Sequence, residues 1–406
     1  MKLAIQEVVG QTTNYSTLSV DGESIPRTYL TDPYLFFHIK QAMKGKANVD
    51  STFQTYFVKL IGLADSILDD IPHSVTEKTE LPPSGDKHDF LALAPYHWPN
   101  PLEPQLVPYI WHDGIINPEV NSIPDKRNID RLIEIVSTLA ASYYFTDDPK
   151  YASKATELLR VWFLNEDTQM NPNLKYGEVI RGKYKVHSAG IIVGGNMTKL
   201  LDSIELIRNS GSWTMKDDEN MQNWFSKYLD WLLDSKPGKE EAKKLNNHGT
   251  YYELQVSSIA LFLNLTQVAK ESLQRTVDSM SEKIGPDGSQ PLELRRTKAI
   301  YYSVFNLLGL FKLASIGEHV GIDLWNVNST EGASLEKALQ FLFNILENKT
   351  LQYPQLGLLQ TNLLEELSCR ATLHYQDRKP YIVQDWVRLT NQGLDECKIL
   401  ATMGIN

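Results

Sequence analysis

The chain has 406 residues, 42% of them hydrophobic and 22% charged, with a formal charge of −10; this is the composition of a folded globular protein and excludes disorder over most of its length. The acidic balance lacks the dense basic face that nucleic acid requires, but it leaves room for an anionic sugar, which needs only a few local cations in a cleft. With Cys369 and Cys397 as its sole cysteines, the chain has no disulfide framework and no cysteine-rich zinc site, and a single bridge between the two stays open.

In chain order, the N-terminal stretch MKLAIQEVVGQTTNYS holds a short apolar run broken by Gln6 and Glu7, a poor core for a signal peptide. The protein is therefore expected to be cytoplasmic, or secreted with its leader already removed. No run approaches the roughly eighteen apolar residues of a membrane span, so no membrane partner is expected. Helical patterns fall near 33–45 and 50–70, followed by a Pro-, His- and aromatic-rich irregular region at 72–126. From 127 onward helical periodicity dominates: Ile129, Leu132, Ile133, Val136, Leu139, Ala140 and Tyr143 form one wide apolar face. TDDPKYASKATELLRVWFL restarts a helix after an Asp-Asp-Pro break, and a second irregular region spans 165–190. Further helices are expected near 190–208, in DDENMQNWFSKYLDWLL behind an acidic first turn, and near 249–264, 266–283, 297–316, 334–348 and 382–402. About a dozen helices with almost no alternating strand pattern favour an all-α array of hairpins that closes on itself or curves as a solenoid. We read it as one domain over 1–406, with 72–126 and 165–190 as cleft-lining loops.

Four stretches carry chemistry. In LNNHGTYYELQ (245–255) a helix is expected to start near Gly249, with Asn246, Asn247 and His248 at its N-terminus. Helical spacing puts His248, Tyr251, Tyr252 and Gln255 on one face; the bland alternative is an N-capping Asn247 and a satisfied buried histidine. In PDGSQPLELRRTKAIYYSVFNL (286–307), Arg295 and Tyr302 share a face of an ideal helix, whereas Arg296 reaches Tyr302 only if the first turn is irregular. HDFLALAPYHWPNP (88–101) sets Tyr96, His97 and Trp98 in a proline-bounded loop, where aromatic faces can stack on sugar rings. GEVIRGKYKVHSAGIIVGG strings Arg181, Lys183, Lys185 and His187 along a loop, a local positive charge in an acidic protein. Phosphate-loop, dinucleotide, zinc-protease and serine-elbow motifs are absent. A carboxylate pair for glycoside hydrolysis would be sought first among Asp89, Glu253 and Glu293.

Taken in order, LALAPYHWPNP, NNHGTYYELQ and DGSQPLELRRTKAIYYSVFNL resemble the alginate lyase domain family of polysaccharide lyases, and LASIGEHVGIDLW extends the likeness to about residue 325. The resemblance implies an (α/α) toroid with a long cleft, a 1,4-linked polyuronate substrate such as alginate, poly-mannuronate or glucuronan, and β-elimination that leaves an unsaturated uronate. By motif position Asn247 and His248 match the family's Asn-His pair, and Tyr302 its catalytic tyrosine. Register selects Arg296 as the site arginine and helical geometry selects Arg295, which is held in reserve. Substrate contacts are expected from Tyr96, His97, Trp98, Arg181, His187, Tyr252, Gln255 and Arg295. The chain departs from the family at GKYKVHSAGII, where a Gly-Arg type sequence is usual, and at His97, where relatives carry an aromatic residue; both bear on substrate preference.

Elimination needs these residue types because the C5 proton of a uronate is a poor acid while its carboxylate stays charged. Asn247 and Arg296 would neutralise that carboxylate as enolate-like charge develops. Tyr302 would protonate the leaving oxygen, and would also act as base, with His248 assisting charge neutralisation, when C5–H and the leaving group lie on the same side, as in mannuronate or glucuronate. His248 would be the base when they lie on opposite sides, as in guluronate. The scheme calls for no metal and no cofactor. A glycoside hydrolase on a similar toroid and a non-catalytic polysaccharide-binding protein are the competing readings.

Overall fold

The computed structural model describes residues 19–20, 23–44, 51–183, 186–327, 329, 331–348, 352–376, 379–390, 397–398 and 401–402. The N-terminal stretch to residue 16, Lys185 and most of 391–406 lie outside them.

The fold is an all-α toroid of helical hairpins. Its helices are α1 (Pro33–Lys44), α2 (Ser51–Ser66), α3 (Asp125–Thr146), α4 (Pro149–Leu159), α5 (Thr198–Ile207), α6 (Met215–Asp234), α7 (Lys236–Glu241), α8 (Asn247–Phe262), α9 (Thr266–Asp278), α10 (Met280–Lys283), α11 (Pro291–Leu294), α12 (Ala299–Glu318), α13 (Leu335–Asn348), α14 (Thr361–Tyr375) and α15 (Pro380–Thr390). Local chemistry sets the hairpin turns. Asp147 closes α3 in the left-handed region (φ 57°), with its N–H on the Tyr143 carbonyl, and Asp148 then caps α4 ahead of Pro149. Thr214 and Asp217 form a reciprocal capping box at the start of α6.

Two helices form the centre. In α8 every residue but His248 is buried, and α12 is buried on nearly all sides, so neither shows an apolar stripe. Contrary to the sequence expectation, α12 is long and apolar enough to cross a membrane, but 83% of that window is buried inside the protein, as befits a core helix.

Several expected boundaries shift. Helix α8 begins at Asn247 rather than Gly249, with Asn246 as its cap. The helix expected at 190–208 is a run of 3₁₀ turns over Ser188–Met197 followed by α5. Within this run a Cβ on Gly194 would lie 2.1 Å from Gln255 Oε1, so glycine lets the turn rest directly on α8.

The two irregular regions hold short strands that periodicity cannot reveal, since each spans only two to four residues. Numbered after β1 (Ser19–Val20) and β2 (Glu23–Ser24), strand β3 (Leu91–Leu93) runs parallel to β6 (Tyr176–Val179), and β4 (His97–Trp98) pairs antiparallel with β5 (Ile110–Trp111). The loops are thereby stitched together, with further bonds from Ala94 N–H to Val179 O (2.9 Å) and from Tyr109 N–H to Arg181 O (3.0 Å). A fully buried Lys78–Asp125 ion pair at 2.8 Å ties them to α3, and the Asp125 carboxylate also accepts the Leu91 N–H. Cys369 and Cys397 are bridged, joining α14 to the C-terminal segment.

Gly249 sits in the first turn of α8, where a Cβ would come within 1.7 Å of the Lys244 carbonyl oxygen. Gly249→Ala must therefore push apart two stretches of backbone, and it is expected to cost about 1–3 kcal/mol, read as a lowered thermal midpoint. An unchanged midpoint would mean that the 241–249 turn relaxes freely.

Candidate functional site

The N-terminal ends of α8 and α12 meet beside the stitched loops. At the start of α8 the Asn246 side chain accepts the His248 N–H at 3.3 Å. Asn247 is held twice by Glu293 of α11, its N–H on Oε1 at 2.6 Å and its Nδ2 on Oε2 at 2.7 Å. Burial raises the Glu293 pKa, and the two Asn247 bonds offset only part of that rise. Asn247 itself is fully enclosed, and its Oδ1 has no hydrogen-bond partner. The expected donor to substrate is thus a closed-in side chain that anchors α8.

His248 is partly open, with 19% of its side chain exposed, and its Nδ1 lies 2.6 Å from Oε1 of the fully buried Glu241 at the end of α7. Lys244 approaches the other Glu241 oxygen at 2.7 Å. Burial alone would raise the Glu241 pKa, but the His248 bond and the Lys244 charge outweigh it and hold the carboxyl below its usual range. An ionised carboxylate only accepts, so Nδ1 carries the proton. Nε2 is then the basic nitrogen. Glu241 also offsets the positive end of α8.

Residues 295–298, between α11 and α12, are not helical. This irregular turn is the condition under which Arg296 reaches Tyr302: its guanidinium lies 3.7 Å from the centre of the Tyr302 ring. Asp113 fixes it there, accepting from Arg296 Nε at 3.0 and 3.1 Å and from Nη2 at 2.5 Å, and also from Thr297 N–H at 2.8 Å. Burial pushes the Asp113 pKa up, yet the Arg296 and Thr297 hydrogen bonds prevail and keep it low. The Tyr302 hydroxyl donates to the Tyr96 hydroxyl at 2.6 Å. Burial and then Tyr96 raise the Tyr302 pKa, with Arg296 opposing only in part, so the phenol is neutral. Arg295 is exposed, without a hydrogen bond or ion pair among the described residues.

The remaining predicted residues divide. Trp98 is half-buried, donates to Ile115 O at 2.8 Å, and lies on the hairpin that exposes Trp111. His97 is half-buried beside Lys183 and His187; burial first, then those two charges, push its pKa down to about 4, so it is neutral at pH 7. His187 stands at the start of the 3₁₀ run. The Arg181 guanidinium is taken up by Glu80, at 3.0 Å twice, and by Glu119 at 2.5 Å. Tyr252 and Gln255 are core residues: Tyr252 donates to Leu232 O, while Gln255 accepts from Tyr228 and donates to Ile191 O and Tyr251 O. They share a helical face with His248, but α8 is surrounded along its whole length after the first turn. The carboxylates considered for hydrolysis are all engaged: Asp89 by Ser84, Asn171 and Asn173, Glu253 by Arg275 and Ser272, Glu293 by Asn247. Sequence reasoning missed Asp113, Glu178 and Glu241. Among these, Glu241 has a weak signal in its place seven residues before His248. A cavity of about 780 Å³ bounded by Lys199, Asp202, Glu366, Arg370 and His374 includes none of the site residues in its wall.

Comparison with known proteins gives a consistent picture. The alginate lyase family model matches residues 74–351. The crystal structure of an alginate lyase from Bacteroides ovatus superposes with a TM-score of 0.86 at 31% identity, covering 94% of this chain and 100% of that one. Alginate lyase A1-III from Sphingomonas species A1 aligns with a TM-score of 0.56 at 15% identity, over 86% of this chain and 91% of that one. A variant of A1-III complexed with a tetrasaccharide gives 0.59 at 15% identity, over 90% and 95%. At 15% identity the likeness speaks to fold alone. No match is found among curated proteins.

Because the Asp113 pKa is depressed in the folded state, its stabilisation is complete above the unfolded carboxylate value of about 4 and is lost as pH falls through the folded value. Asp113→Asn is expected to lower stability at neutral pH by about 1–3 kcal/mol, with the gap to wild type closing in acid. Urea midpoints measured against pH test this; a gap that stays constant into acid contradicts it.

Proposed function

This chain belongs to the alginate lyase family of polysaccharide lyases, and from that premise we propose that it cleaves a 1,4-linked polyuronate by β-elimination, with alginate or poly-mannuronate as substrate and glucuronan as runner-up. The observation that supports this best is the pairing of an Arg296 guanidinium, pinned by Asp113, with a protonated Tyr302 beneath it. Close by, His248 turns Nδ1 to Glu241 and leaves Nε2 for the substrate.

In the proposed reaction Arg296 receives the uronate carboxylate and stabilises the charge that develops as C5–H breaks. Asn247 stands behind, holding the start of α8 through Glu293. The C5 proton passes to a base, the C4–O bond breaks as the C4=C5 double bond forms, and Tyr302 O–H gives its proton to the departing oxygen. With guluronate, His248 Nε2 is the base and Tyr302 starts as the neutral phenol that the acid role requires. With mannuronate, one phenol serves as base and then acid, so the reactive fraction is the minor phenolate form of Tyr302. The hydrolase alternative loses support because Asp89, Glu253 and Glu293 are each bound to other side chains.

Tyr302→Phe is expected to reduce release of product absorbing at about 235 nm by at least a hundredfold; near-normal release would remove Tyr302 from the reaction. A raised Tyr302 pKa carries a second consequence. The phenolate fraction grows about tenfold per pH unit below that pKa, so kcat at saturating poly-mannuronate should climb through the mildly alkaline range. A flat profile there would rule out Tyr302 as base.

A further inference from the structure

The scheme above leaves one carboxylate unused. Glu178 of β6 is half-buried, and its oxygens have no hydrogen-bond partner among the described residues, though they are not sealed from solvent. The charged groups that face it come from three neighbouring segments: His248 on α8, Glu241 and Lys244 at and after the end of α7, and Arg296 ahead of α12. It therefore lies between the two halves of the site.

Its freedom sets it apart. Glu241 is tied to His248 and Lys244, Glu293 to Asn247, and Asp113 to Arg296 and Thr297. A half-buried carboxylate with no protein donor gives up part of its hydration, which favours either its neutral form or a partner in a ligand. The charge balance points the same way. Among the groups just named, the ionised forms of Glu178, Glu241, Glu293 and Asp113 would face Lys244 and Arg296 as permanent cations, in a site that must admit a polyanion. The three acids held by hydrogen bonds have donors for their oxygens, and Glu178 alone has room for a proton. Burial raises its pKa, as does the nearby Glu241, against the opposing pull of His248, Lys244 and Arg296.

Resting on the polyuronate reading, we propose that Glu178 contacts the substrate as a neutral carboxylic acid, donating a hydrogen bond to a uronate carboxylate beside Arg296. At any pH where Glu178 is ionised in the free enzyme, a proton then enters the complex with the sugar. Substrate affinity falls as pH rises and Glu178 ionises, because an ionised Glu178 both loses its donor and repels the uronate.

The test uses the Tyr302→Phe chain, in which turnover is expected to be slow enough for binding to be measured, titrated calorimetrically with a mannuronate tetrasaccharide in buffers of different ionisation enthalpy at a series of pH values from neutral into the mildly alkaline range. Net proton uptake on binding is expected, and it should disappear in Tyr302→Phe/Glu178→Gln, whose amide still donates and keeps affinity within about threefold. Zero uptake in the Tyr302→Phe chain at every pH in that range, or equal uptake with Glu178→Gln, overturns the assignment. In the active enzyme, KM on poly-mannuronate should rise with pH while that of Glu178→Gln stays level; parallel slopes also overturn it. Absence of any unsaturated product from wild type on poly-mannuronate and polyglucuronate would instead sink the polyuronate reading itself, so the two failures are distinguishable.

Discussion

A cation held against an aromatic face organises this site. Arg296 rests on the Tyr302 ring because Asp113, 183 residues earlier in the chain, accepts both its Nε and its Nη2. A guanidinium taken from water needs such a partner, and one carboxylate meeting it with two of its nitrogens fixes direction as well as charge. The interaction dictates much around it. The turn between α11 and α12 must stay irregular, the loop after β5 must fold back over Thr297, and Tyr96 must come close enough to accept from Tyr302. The free enzyme thus stores a neutral phenol beside a fixed positive charge.

The second half of the site obeys the same logic with different groups. Two buried glutamates, neither open to substrate, set the start of α8: Glu293 by gripping Asn247, Glu241 by accepting the hydrogen bond that His248 Nδ1–H donates. Fixing the tautomer leaves Nε2 for the base role proposed above, so on that proposal acceptor and donor are positioned before substrate arrives. The supporting loops are secured less by their own sequence than by the β3–β6 pairing and the enclosed Lys78–Asp125 bridge.

The fold was legible where a single physical signal dominated. Helix α3 shows its apolar face in every turn, and the Asp-Asp-Pro break marks both a left-handed stop and a capped start. The Asn-His and Arg-Tyr pairs stood out as motifs, and the irregular turn before α12 explains why Arg296, not Arg295, meets the phenol. What escaped depends on distance in the chain. Tyr252 and Gln255 share a face with His248 yet lie in the core, because a helix enclosed on all sides has no face that spacing can identify as open. Arg181 reads as a free cation until Glu80 and Glu119 are folded beside it. Asp113 carries no local mark, since its role exists only once two remote segments touch. The strands of the loops are too short for alternation to register.

The most direct measurement is the crystal structure of the Tyr302→Phe chain with a mannuronate tetrasaccharide. The uronate carboxylate should sit on the Arg296 guanidinium, with the glycosidic oxygen beside the position vacated by the Tyr302 hydroxyl and the sugar ring within reach of His248 Nε2. A sugar bound away from these groups, with Arg296 still engaged only by Asp113, would contradict the assignment of this site.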